Sequence, residues 1–221
     1  MKALLSLLQL ASPALPVGAY AYSQGLEYAV EVRWVSNEAQ LCQWLSGGVK
    51  YGLAHTDLAV MRRIYSAWEQ ENLTAVDYWN DYLFALRESR EWQHQERHLG
   101  QSLAKLLFDL GISAAGSWQE NNRCCYVTLL SLAARHWHIG LAELLAAYTF
   151  SWCENQVMVA LKLLPLGQTA GQRVLLQLKD AMLSACEDSY SIVDQDIGFS
   201  MPALAIASCL HETQYTRLFR S

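Results

Sequence analysis

The chain has 221 residues, of which 52% are hydrophobic and 17% charged, and its formal net charge is −5. That length suffices for a domain whose core needs no staples, and an acidic balance without any basic run excludes a nucleic-acid grip by bulk electrostatics. Charge is scarcer than the about 25% of an average soluble domain, which points to apolar surface kept for partners.

The start, "MKALLSLLQLASPALPVGA", has the outline of a short secretory signal. Gln9 interrupts its apolar run, however, and Leu4, Leu5, Leu7 and Leu8 fit one helical face, so a first helix is expected. A proline and glycine loop follows over residues 12–22. Ser23 then reads as the cap of a helix containing Gly25, a residue that costs about 1 kcal/mol inside a helix. Its place beside the loop tyrosines Tyr20 and Tyr22 suggests close approach by another segment. Asn37 and Gln40 have capping-box spacing ahead of Leu41, Trp44, Leu45 and Val49. Leu58, Met61, Ile64 and Tyr65 continue at helical offsets, and Thr74 reads as the opening of a helix with Tyr78, Tyr82 and Ala85 on one side.

Leu99, Leu103, Leu106, Leu107 and Leu110 form the next stripe, and Asn121–Asn122 precede another with Val127, Leu130 and Ala134. A long helix over 141–164 is stopped by Pro165 and Gly167. Another spans 172–186, and "SMPALAIASCLHET" makes the last, with Ser200 as cap and Pro202 in the first turn. Strand alternation is nearly absent, and loop character is confined to 12–22, 111–121 and 188–199. The expectation is an all-α protein, a single domain over residues 1–221 with roughly eight to ten helices.

Cys42, Cys124, Cys125, Cys153, Cys186 and Cys209 lie within apolar stretches, without a CxxC, and read as reduced core residues of a cytosolic protein. The longest apolar stretch, 141–166, carries Glu143, Glu154, Asn155, Gln156 and Lys162, so no membrane-spanning helix is expected. Within a helix otherwise apolar all round, Glu154, Asn155, Gln156 and Lys162 need partners and point to an interface or a wet internal passage.

No nucleotide-binding glycine loop, HExxH or GxSxG occurs. His136 and His138 of "HWH" would face apart on a helix and make no chelate. His94 and His98 are an i, i+4 pair with Glu91 three residues before, a spacing that can hold a divalent metal, although this charge-rich segment reads as a solvated face. The ending "HETQYTRLFRS" sets Tyr215, Leu218 and Phe219 beside Arg217 and Arg220 where a frayed polar end is the norm. Either it docks on a partner or it caps its own core.

Three stretches, "LQLASPALPVGAYAYSQGLE", "YTFSWCENQVMVALKLLPLGQ" and "ALAIASCLHETQYTRLFRS", resemble in order and spacing the motifs of the urease accessory protein UreF family, and "RESREWQHQERHLGQSLAKLL" agrees with them. The resemblance spans essentially the whole chain. It implies an all-helical, cytoplasmic homodimer that is not an enzyme. Such proteins act as chaperone adaptors that link a UreD (UreH) protein and the GTPase UreG to apo-urease, where GTP hydrolysis is coupled to nickel insertion. It further implies no tightly bound cofactor, nickel being handled by the complex, and neither nucleic acid nor membrane as a partner.

Carried over by residue, the resemblance places the partner-binding, GTPase-facing surface on Tyr20, Ser23, Glu27, Lys162, Gln168, His211, Glu212, Tyr215, Arg217, Leu218 and Phe219. Tyr20 and Arg217 would organise that surface and Lys162 would supply charge. His94, His98 and the cysteines match no family motif, which leaves the histidines as weak metal candidates. The alternative role is activation or gating of the GTPase, with Arg217 or Arg220 inserted as a finger. A third is a dedicated nickel carrier using His94 and His98. Deleting residues 212–221 is expected to spare the helical fold and remove GTPase recruitment.

Overall fold

A computed structural model describes residues 1–198 and 201–221. Among them are ten α-helices and no strand. In chain order these are α1 (Lys2–Leu10), α2 (Leu26–Glu31), α3 (Glu38–Gly47), α4 (Asp57–Glu69), α5 (Leu73–Ala85), α6 (Arg90–Asp109), α7 (Tyr126–His136), α8 (Leu141–Leu163), α9 (Gln168–Ser191) and α10 (Pro202–His211). The hub is α4, whose run Leu58–Met61 and Ile64 is wholly inaccessible because α5, α7, α8 and α9 surround it. Helix α8 lies along α9 and also meets α1, α2 and α4. One buried apolar cluster runs through the molecule from Leu10 to Phe219. No helix of the described residues is long and apolar enough to cross a membrane.

The starts of α3, α5 and α6 follow side-chain oxygens that reach unpaired amides. Asn37 Oδ1 accepts from the Gln40 amide at 3.0 Å, while Gln40 Oε1 reaches back to the Ser36 amide at 2.9 Å. The expected box is therefore present, with its return bond one residue early. Asn72, not Thr74, caps α5, its Oδ1 accepting from the Ala75 amide at 3.1 Å. Asn121 Oδ1 holds the Arg123 amide in a turn at 2.8 Å, so α7 starts only at Tyr126. Helix α9 extends beyond 172–186 at both ends, which shortens the loop expected over 188–199. The expected loop over 111–121 contains a 3-10 turn, Ser113–Trp118. Pro202 stands in the first turn of α10 as expected, and the proposed cap Ser200 lies outside the described residues.

Gly25 is not inside a helix. It caps α2 with φ +81°, and a Cβ there would stand 2.7 Å from the Ser208 backbone nitrogen and 3.0 Å from the Ala207 carbonyl carbon. The segment that approaches it closely is α10. His136 ends α7 and His138 follows with φ +54°, so the pair straddles a helix end instead of facing apart on one helix. Cys124, Cys125 and Cys153 are buried and burial pushes their thiols up. Cys209 departs from the core reading, being exposed on α10.

Candidate functional site

The loop before α2 is bound to the polar residues of α8. Tyr20 Oη donates to Glu154 Oε2 at 3.2 Å, Asn155 Nδ2 donates to the Tyr22 carbonyl at 3.3 Å, and Trp152 Nε1 donates to Gln24 Oε1 at 2.6 Å. Burial, and then the charge of Glu154, push the Tyr20 hydroxyl well above its ordinary value, so it stays a donor. Two of the polar interruptions in α8 thus find their partners in the N-terminal motif. Gln156 is fully buried, and both its amide atoms lack a hydrogen-bonding partner among the described residues.

The tail closes over the same motif from the other side. Glu27, buried in the first turn of α2, accepts the Leu218 amide on Oε1 at 2.6 Å and the Phe219 amide on Oε2 at 2.9 Å. The Ser221 carbonyl accepts the amides of Ser23 at 2.5 Å and Gln24 at 3.1 Å, and also the Ser23 hydroxyl. Arg220 donates its amide to the Ala21 carbonyl at 2.8 Å. The ionised acceptor makes each of the two bonds to Glu27 worth about 1.5–3 kcal/mol, against about 0.5–1.5 kcal/mol for those to the backbone carbonyls.

His211, with no exposed surface at the end of α10, joins the clamp to α6. Its Nε2 lies 3.1 Å from Glu27 Oε2 and its Nδ1 2.7 Å from Glu91 Oε2. Glu91 Oε1 in turn accepts from Arg217 Nη1 at 2.5 Å. Glu212 Oε1 accepts the amides of Arg90 at 2.6 Å and Glu91 at 3.4 Å, a carboxylate at the positive end of α6.

Of the residues assigned to a partner surface, Ser23, Glu27, His211 and Phe219 are buried. Tyr215 is fully exposed, and Leu218 and the Arg217 head also face solvent. Exposed Lys162 brings its Nζ to 5.4 Å from the centre of the Phe219 ring, a cation–π contact that ties the end of α8 to the tail. Gln168 stands exposed at the start of α9. Of the two roles its composition suggested, the structure shows the tail capping its own core. Its backbone and Phe219 complete the core, while Tyr215, Arg217 and Leu218 point outward.

The metal face weighed as a weak candidate on α6 is not assembled. Glu91 is engaged with His211 and Arg217, and His98 Nδ1 lies 3.4 Å from Ser102 Oγ. Burial, then neighbouring His94, lower the His98 pKa. No group of three His, Cys, Asp or Glu among the described residues is arranged to hold a metal. Nor is this charge-rich stretch a solvated face throughout, because Gln95 and Glu96 are buried.

Glu96 belongs to a network that sequence reasoning missed. Buried Arg87 donates to both Asp57 oxygens at 3.0 and 2.6 Å and to Glu96 Oε2 at 2.8 Å. Tyr148 Oη donates to Asp57 Oδ1 at 2.6 Å, and the Tyr126 amide to Glu96 Oε1 at 2.7 Å. For Asp57 burial disfavours ionisation, but Arg87 and the hydroxyl donors outweigh it and hold the carboxyl below its ordinary value. For Glu96 burial prevails and raises it. The network borders a cavity of about 80 Å³, also lined by Tyr20, Gln24 and Asn155, large enough for several waters. The hint available in the sequence was an aspartate heading the apolar run "DLAVM".

A family model described as UreF matches residues 35–179. A protein of Alkalilimnicola ehrlichii named "Urease accessory protein UreF" is 46% identical over 213 residues, covering 96% of this chain and 93% of that protein. Proteins of the same name from Teredinibacter turnerae and Chromohalobacter salexigens are 43% and 44% identical, over 99% of this chain and 98% and 95% of their own lengths.

Proposed function

Because the chain belongs to the UreF family of urease accessory proteins, we propose that it serves urease maturation as a non-catalytic adaptor between a UreD (UreH)-type protein, a UreG-type GTPase and apo-urease. In this reading the protein is a cytoplasmic homodimer and nickel is cargo of the assembly, inserted as the GTPase turns over. The observation that carries the proposal is the clamped tail. Buried Glu27 and His211 fix its backbone, and that leaves Tyr215, Arg217 and Leu218 displayed, while Lys162 packs on Phe219. Exposed Tyr and Arg side chains on a rigid support are what an interface hot spot uses.

Co-purification tests it. Wild type should assemble with tagged UreD-type and UreG-type partners. Tyr215→Ala/Leu218→Ala, which removes only exposed side chains, should keep its helical circular dichroism and lose the GTPase. Full recruitment by the double variant would remove the tail from the interface. The alternative is a finger role for Arg217 or Arg220. The pairing of Arg217 with Glu91 favours a positioning role for that side chain instead.

A further inference from the structure

His211 has a carboxylate oxygen on each side, Glu27 Oε2 at 3.1 Å and Glu91 Oε2 at 2.7 Å. A carboxylate only accepts, and a neutral imidazole has one donor. Both contacts are hydrogen bonds at once only when both ring nitrogens carry protons. The charged groups around the ring are Glu27 from α2, Glu91 from α6 and Arg217 from the tail, the last held on Glu91 Oε1. Glu212, next in the chain, is turned to the amides of Arg90 and Glu91. With the ring protonated, two carboxylates face two cations. With it neutral, one nitrogen turns a lone pair toward a carboxylate and a buried negative charge goes unmatched, which is costly away from water. Glu27 is the group that holds the Leu218 and Phe219 amides.

We propose that the clamp is a proton-gated latch, in which doubly protonated His211 keeps the tail seated and loss of its proton loosens it. Seating and protonation favour each other, so the seated tail belongs to the acid side and weakens as pH rises. Combined with the adaptor reading on which this consequence rests, partner recruitment falls as the surroundings turn alkaline. That is the direction in which ammonia from urea hydrolysis drives them.

The test uses the full chain without partners. Amide exchange at Leu218 and Phe219, divided by the intrinsic rate at each pH, is followed from about pH 6 to about pH 9 together with the ring nitrogen shifts of His211. Protection should fall about tenfold in step with ring deprotonation. In Glu91→Gln the introduced amide can donate to the neutral Nδ1 while Nε2–H goes to Glu27, so the fall should shrink to about threefold or less. Level protection while the ring loses its proton, or an undiminished fall in Glu91→Gln, overturns the latch. Failure of the adaptor reading shows elsewhere, as absent co-purification at every pH, and leaves these readouts untouched.

Discussion

Glu27 and Phe219 are 192 residues apart in sequence, yet the carboxylate of the first accepts the backbone amide of the second at 2.9 Å. With Leu218 and His211 on the same carboxylate, this one side chain fixes the course of the tail. Glu27→Ala should therefore lower stability by about 2–4 kcal/mol in urea denaturation, since it strands two amides and an imidazole. Glu27→Gln retains an acceptor and should fall between wild type and the alanine variant.

Gly25→Ala should be poorly tolerated. The position combines φ +81° with a Cβ that would press on the Ser208 and Ala207 backbone. A left-handed β-carbon alone costs about 1–2 kcal/mol, and backbone atoms cannot swing aside as a flexible side chain can. The expected outcome is a drop in melting temperature accompanied by weakened GTPase co-purification, because the seam between α2 and α10 must open.

Tyr148→Phe removes the hydroxyl that donates to Asp57. The loss of one bond to a buried carboxylate should cost about 1.5–3 kcal/mol near neutral pH. The sign with pH follows from the lowered Asp57 value. A depressed folded pKa gives stability that is present above the unfolded value and lost as pH falls through the folded one. Without the hydroxyl the folded value rises toward the ordinary one, so acid unfolding should begin at higher pH. An unchanged acid midpoint would show that Tyr148 does not act through Asp57.

Arg217→Ala separates positioning from chemistry at the nucleotide. Its head is well exposed, so the pair with Glu91 adds little to global stability, about 0–1 kcal/mol. If Arg217 positions the tail, the substitution weakens complex formation. A finger would instead leave binding intact and abolish an increase in GTPase turnover of several orders of magnitude. Pull-down and turnover measured on the same samples decide between them.

His94→Ala/His98→Ala should leave nickel retention in equilibrium dialysis unchanged, because Glu91 faces His211 and Arg217 instead. Loss of tight binding in that variant would revive the carrier role.

The helices were legible because their apolar residues recur at helical spacing and the α8 stop carries proline and glycine. Helix ends are less legible, as with Thr74 and Asn72, because neighbouring polar residues compete for a cap bond that an offset of one or two residues decides. The tail and the N-terminal loop stood out by composition, and Gly25 correctly signalled a close neighbour. Which tail residues face inward was not legible, because Ser23 and Glu27 find their partners at the far end of the chain. Glu91 was read with His94 and His98 because sequence spacing shows what one helix brings together, whereas α10 and the tail supply its actual partners. Arg87 and Asp57 meet only in the folded molecule, with Tyr148 from a third element. For the same reason, deleting residues 212–221 is a blunter test than substituting exposed side chains, since it strips Glu27 of its donors and Ser23 of its acceptor together.

The clamp bonds span 184 to 198 residues. Closing such loops early is entropically unfavourable, so these contacts are expected to form late in folding and to open early. In the adaptor reading, a surface built on them would serve as a checkpoint. A copy whose α2, α6 and α10 have not come together displays no tail, and a partner that reads the tail is thereby spared engagement with a misfolded chain.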